Sequence, residues 1–183
     1  MKKLIFFVCS ALLIFASCGD SSSSTGNTDG DTNQKSESTE EVSTAWEYSE
    51  SVDEMTDKTN YYATIESENS VDFDFPYNGG SILTFTIRQS SQYGKEMYIS
   101  ISKGQFNAGI SGTKIKVRFD DEEPFSVSCN TPSDYSTDVL FLTGYDKLLK
   151  KLKNSKTMKI NVEFFNEGTR TFEFDVEGLE WEH

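Results

Sequence analysis

Residues 157–176, TMKINVEFFNEGTRTFEFDV, decide the fold. Met158, Ile160, Val162 and Phe164 alternate with Lys159, Asn161 and Glu163, and then Phe172, Phe174 and Val176 alternate with Thr171, Glu173 and Asp175. A period of two places one set on one face of the chain and the second set on the other, which is the pattern of a half-buried strand. Asn166-Glu167-Gly168 supplies turn chemistry between the two runs.

The same texture recurs upstream. Ile115, Val117 and Phe119, then Met97, Ile99 and Ile101, then Leu83, Phe85 and Ile87 each alternate with polar neighbours, and Val71, Phe73 and Phe75 do so against Asp72 and Asp74. Turn residues punctuate these runs at Asn78-Gly79-Gly80, at Tyr93-Gly94, between Gly109 and Gly112 and at Thr131-Pro132-Ser133. Many short alternating strands at this spacing predict an all-β fold, an antiparallel β-sandwich of immunoglobulin-like or related type, over residues 45–183 with Trp46 and Trp181 near its two ends. One segment departs from the pattern. From Tyr145 to Lys153, Leu148, Leu149 and Leu152 share a helical face and four lysines surround it, so one short amphipathic helix is expected there.

Ahead of this domain the composition changes twice. Lys2 and Lys3 precede an apolar run from Leu4 to Phe15, too short for a bilayer span of about 20 residues but of the right shape for an export signal over residues 1–17. Of the 26 residues from Gly19 to Thr44, 18 are Gly, Ser, Thr, Asn or Gln, a composition unable to bury enough surface to offset its conformational entropy. Residues 18–44 therefore read as a disordered tether, with its ends on average roughly 28 Å apart.

Phe15-Ala16-Ser17-Cys18 resembles the lipobox of bacterial lipoproteins, with Phe15 where that family usually has Leu. The resemblance implies that Cys18 is acylated and becomes the mature N-terminus, so that the partner on that side is a membrane, reached through lipid. Two acyl chains already suffice for firm anchoring, because each buried CH₂ contributes about 0.8 kcal/mol. Gly19, where Asp in Gram-negative lipoproteins favours inner-membrane retention, implies an outer-membrane location.

Cysteine usage agrees with that reading. Cys9 leaves with the signal and Cys18 carries lipid, so Cys129 is the remaining thiol and the domain has no internal disulfide. In Phe125-Ser126-Val127-Ser128-Cys129 the alternation puts Cys129 on the face of Phe125 and Val127, as a buried, inert thiol. The formal charge of −13, more negative once Lys2 and Lys3 are removed, makes nucleic acid an unsuitable partner.

The single histidine is His183, at the end of the sequence, so triad chemistry based on a buried imidazole has no candidate, and neither zinc-ligand spacing nor a glycine-rich phosphate loop is present. No cofactor is expected. Carboxylates are plentiful at 30, so close pairs such as Asp72 with Asp74, or Glu173 with Asp175 and Glu177, arise from composition alone. A glycosidase-type pair would need two carboxyl groups about 5–9.5 Å apart in a desolvated cleft. Asp120, Asp121, Glu122 and Glu123 crowd one turn and are the candidate calcium ligands, although their contiguity prevents all four from aiming at one ion. Asp53, Met55 and Asp57 are candidates for a partner-binding loop, with turn formation as the structural alternative. Tyr98 is a candidate for stacking on a sugar, although tyrosine is also a favoured strand residue.

Trp46, Asp53-Glu54-Met55-Thr56-Asp57, Phe75-Pro76-Tyr77 with Gly79-Gly80, Lys103-Gly104-Gln105-Phe106, Val117-Arg118-Phe119-Asp120 and Gly178-Leu179-Glu180-Trp181 resemble the recurring blocks of an uncharacterised bacterial family of secreted proteins and lipoproteins. The strand order is also similar to that of periplasmic accessory proteins of type VI secretion. Some relatives carry paired cysteines after the Gly-Gln-Phe block, where this chain has Asn107 and Thr113, so no disulfide follows from the resemblance. The expectation is a non-catalytic binding or accessory module of the cell envelope with a protein or glycan partner. A carboxylate-dependent hydrolase and an inhibitor or immunity-type lipoprotein are the alternatives.

Overall fold

In the computed structural model, residues 44–183 are described. The export signal, Cys18 and the tether up to residue 43 lie outside the described residues. Nine strands form one antiparallel sheet in the order β1-β2-β3-β4-β7-β6-β5-β8-β9. They are β1 (Glu47–Asp53), β2 (Lys58–Glu66), β3 (Leu83–Ser90), β4 (Gly94–Ile101), β5 (Thr113–Phe119), β6 (Phe125–Asn130), β7 (Val139–Leu142), β8 (Thr157–Phe164) and β9 (Gly168–Asp175), with one helix, α1 (Tyr145–Leu152). The all-β, sandwich-like fold is as expected, and a single open sheet rather than two separate ones supplies it.

The sheet folds over because both of its halves bury apolar faces in one core. Ile65, Phe85, Ile87, Met97 and Ile99 from β2 to β4 join Ile115, Val117, Ile160, Val162, Phe172 and Phe174 from β5, β8 and β9. Alternation along each strand delivers these side chains to the same side. Hydrogen bonds then tie the two ends of the sheet together without closing a ladder. The Trp46 indole N–H donates to the Val176 carbonyl at 3.1 Å, Glu68 N–H donates to the Glu173 carbonyl at 2.8 Å, and Asn69 bonds the backbone of both Thr171 and Glu173. Such bonds also cover part of the open β9 edge, an otherwise exposed template for strand pairing.

Helix α1 starts at Gly144, whose φ of 82° is easy for a residue without Cβ, and carries Asp146 in its first turn and Lys150 and Lys151 in its last. Leu148 and Leu152 are buried, and the tail at 177–183 lies over this end of the sheet. There Trp181 is buried and donates its indole N–H to Tyr145 Oη at 2.8 Å, while Lys153 Nζ bonds the Trp181 carbonyl.

One expected strand is absent. Val71 makes an isolated bridge to Ser81, but 72–75 do not pair. Their alternation has a different cause: Phe73 dips into the core from a loop, packing 4.7 Å from the ring of Phe164, while Phe75 faces solvent.

Candidate functional site

The antiparallel order brings four connections to one end of the sheet: 67–82 between β2 and β3, 102–112 between β4 and β5, 131–138 between β6 and β7, and 165–167 between β8 and β9. Backbone bonds stitch them into one surface. Phe165 N–H donates to the Gln105 carbonyl at 2.8 Å, Asn107 N–H to the Glu163 carbonyl at 2.9 Å, and Phe106 N–H to the Thr137 carbonyl at 2.7 Å. Asp74 N–H reaches Glu167 Oε1 at 2.9 Å, joining the first loop to the β8–β9 turn.

Each loop is held by its own local chemistry. In the first, Lys103 Nζ donates to the Asn78 and Gly79 carbonyls at 3.0 Å each, and Gly80 N–H donates to Asp72 Oδ1 at 3.0 Å. Gly104 sits so close to Phe73 that a Cβ there would lie 2.7 Å from its ring. In the second, Gly112 N–H donates to the Gly109 carbonyl at 2.8 Å. A Cβ on Gly112 would meet the Cys129 carbonyl oxygen at 2.1 Å. In the third, Asp134 Oδ1 accepts from Ser136 N–H at 3.0 Å and from Ser136 Oγ at 2.9 Å, which holds the Asp134 carboxyl below the ordinary carboxylate range.

These anchored loops carry large apolar side chains outward. Ile110 is 90% exposed, Phe75 88%, Tyr135 74% and Phe165 56%, each from a different loop. A hollow of about 120 Å³ opens between the second and third loops, walled by Phe106, Ala108, Ile110, Tyr135, Val139 and Leu140. Acidic residues are frequent around this end, with Asp72, Asp74, Asp134, Asp138, Glu163 and Glu167 against Lys103 and Arg170. Isolated exposed apolar residues need no explanation, whereas here four stand on hydrogen-bonded neighbouring loops, and Ile110 and Tyr135 wall the hollow.

The residues singled out from the sequence lie elsewhere. Asp53, Met55 and Asp57 occupy the β1–β2 turn, toward the opposite end of the sheet, where Asp53 Oδ1 accepts from the N–H groups of Met55 and Thr56 at 2.9 and 3.1 Å. Met55 stands in solvent there and Asp57 adopts a φ of 54°. Tyr98 is on β4, away from that turn. Its ring is 5.6 Å from that of Phe141, and the guanidinium carbon of Arg88 lies 5.5 Å from its centre. Burial pushes the Tyr98 hydroxyl pKa upward.

In the acidic turn, Asp120 Oδ1 accepts from Thr157 N–H at 2.9 Å and Lys156 N–H at 3.0 Å, bonds that hold its carboxyl below the ordinary range, and Glu122 pairs with Lys151. Asp121 and Glu123 are exposed on the same turn. Among the described residues, no three Asp, Glu, His or Cys side chains converge in a way that could hold a metal ion. Of the carboxylates on and just after β9, Glu173 pairs with Lys159 and Glu177 with Lys156. Cys129 is buried, and burial pushes its thiol pKa up to about 12. At ordinary pH it therefore stays an uncharged thiol, a poor nucleophile.

Comparison with known protein families, characterised proteins and solved structures finds no match to this chain. Function must be read from the geometry. The sequence did contain faint signals of the loop end: Ile110 lies between Gly109 and Gly112, Tyr135 among Ser133, Asp134 and Ser136, and Phe165 breaks the alternation directly after Phe164. Nothing in the sequence indicates that these three belong together.

Proposed function

We propose that this chain is a lipid-anchored, non-catalytic binding or accessory protein of the cell envelope, and that it engages a partner protein through the loop end of its sheet. The observation that carries this reading is the exposure of Phe75, Ile110, Tyr135 and Phe165 on four hydrogen-bonded loops, two of which, through Ile110 and Tyr135, wall an apolar hollow. Binding energy in protein interfaces concentrates in a few aromatic or aliphatic anchors surrounded by a polar rim. The acidic rim here matches a partner that is basic around an apolar plug. Lipid on Cys18 and the tether after it would hold the domain at the membrane while leaving this end free to meet its partner.

An inhibitor or immunity-type role uses the same surface, since it too needs exposed apolar anchors on rigid loops. The loop end favours it over the hydrolase alternative, because four of the six carboxylates named at this end, those of Asp72, Asp134, Glu163 and Glu167, bond the loops or their flanking strands. Asp134 bonds Ser136, Glu163 bonds Asn107, and Glu167 holds Asp74 N–H and Arg170.

The test is photo-crosslinking of the full chain in its native envelope, with a benzophenone amino acid at Ile110 or Phe165 in one arm and at Met55 in the other. The expected result is one discrete protein adduct from both loop-end positions and none from Met55. Adducts from Met55 alone, or an adduct to glycan in place of protein, would overturn the proposal.

A further inference from the structure

A second recessed surface lies toward the other end, between the β1–β2 ladder and the tail. It encloses about 310 Å³, and its walls include Tyr48, Glu50, Tyr61, Glu180, Trp181 and His183. Tyr61 and Glu50 are directly opposed across the ladder and so project from the same face. Tyr48 accepts the Glu180 N–H at 2.8 Å, which fixes the tail over them. The cleft therefore combines aromatic walls with two carboxylates.

What occupies the face of Tyr61 indicates what this cleft accepts. The His183 imidazole lies parallel to the Tyr61 ring, with 3.7 Å between centroids and 8° between planes, and Trp181 meets its edge at 5.1 Å and 76°. Lys95 Nζ donates to the His183 carbonyl at 3.1 Å and holds the residue in place. A flat nitrogenous ring is thus stacked on a phenol in a cleft whose walls include Glu50 and Glu180. The faces of aromatic rings are electron-rich and attract cations. Among common biological cations, guanidinium combines planarity, permanent charge, weak hydration and a preference for stacking on aromatic faces, whereas ammonium is compact and strongly hydrated. The overall charge of −13 draws cations toward the protein in the same sense.

We propose that this cleft is a binding site for a guanidinium group, which takes the face of Tyr61 that His183 covers and is held by the carboxylates of Glu50 and Glu180. His183 is then a competing internal occupant, and the site is independent of the loop end. The group can come from a free arginine-like molecule or from an arginine side chain in a peptide.

The test is a titration of the purified full chain in detergent micelles, followed by the indole N–H signal of Trp181. The probes are N-acetyl-arginine amide, which mimics arginine within a peptide, its neutral citrulline counterpart, the lysine counterpart, and methylguanidine, which carries the free group. Saturable binding of the arginine probe is expected, about tenfold tighter than citrulline and tighter than lysine. Exchanging both Glu50→Gln and Glu180→Gln should weaken it about tenfold, and a chain ending at Glu182 should bind about threefold more tightly. Tighter binding of the arginine amide than of methylguanidine assigns the site to peptide arginine, and equal or weaker binding assigns it to the free group. Equal saturation by citrulline or lysine overturns the proposal. So does absence of saturation by arginine in both the full chain and the chain ending at Glu182.

Discussion

The helix with its overlying tail and the loop end of this sheet are built from similar material and finished in opposite ways, although the β1–β2 and β3–β4 turns away from the loop end also expose Met55 and Tyr93. At the helix end, Leu148, Leu152 and Trp181 are buried, and Trp181 is further bonded to Tyr145 and Lys153. At the loop end, Phe73 and Phe106 are buried beneath the loops, yet Phe75, Ile110, Tyr135 and Phe165 remain in water above them. Apolar side chains left exposed on an ordered scaffold gain nothing for folding. The contrast separates residues that hold the domain together from residues that the proposed partner would cover.

Substitutions should divide along that line. The largest loss is expected from Trp181→Ala, about 3–5 kcal/mol, with Leu152→Ala close behind at about 2–5 kcal/mol, both read as denaturant midpoints at unchanged slope. Phe75→Ser and Ile110→Ser should each change stability by no more than about 0.5 kcal/mol while abolishing the loop-end crosslink. A loop-end variant as destabilising as Trp181→Ala would erase the distinction between the ends.

The frame of the loops should be as sensitive to substitution as the core. Gly112→Ala combines a φ of +81° with a Cβ only 2.1 Å from the Cys129 carbonyl oxygen, so it should cost about 2–4 kcal/mol in the same unfolding assay. Gly109→Ala in the same loop meets nothing within 4 Å and provides the control.

Thiol reactivity tests burial in the core between the ends. With its pKa pushed up to about 12, Cys129 should remain unmodified by a maleimide at about pH 8 in the folded protein and react on unfolding, as read by peptide mapping. Modification in the native state would contradict the buried placement.

The smallest effect is electrostatic. Hydrogen bonds from Thr157 and Lys156 lower the Asp120 pKa in the folded state below its ordinary 3.8. That contribution is present above the unfolded-state pKa and is lost as pH falls through the lower folded-state value. Asp120→Asn should therefore show a slightly shallower decline of the melting midpoint between about pH 5 and about pH 2 than the parent chain. The carboxylate is exposed, so solvent screening keeps the difference small.

Legibility in the sequence followed local pattern. β3, β4, β5, β6, β8 and β9 were visible because one face of each meets the core and the other meets water. β1 was not, since Glu47–Asp53 is an edge strand exposed along nearly its whole length and has no alternation to read. β7, Val139–Leu142, escaped because four consecutive apolar residues show no period. The false strand at 71–75 shows the converse, an alternating pattern produced by a loop that buries Phe73 and exposes Phe75. The loop end was hidden for a further reason: its residues span positions 75 to 165 and meet only through the strand order.

The most direct measurement of the central claim is hydroxyl-radical footprinting of the full chain, once in native envelopes and once purified in detergent. Phe75, Ile110, Tyr135 and Phe165 are expected to become protected together in the envelope, while Met55 and Tyr93, also exposed but remote from the loop end, are oxidised equally in both. Equal labelling of all six residues in the two preparations, or protection confined to Met55 and Tyr93, would contradict it.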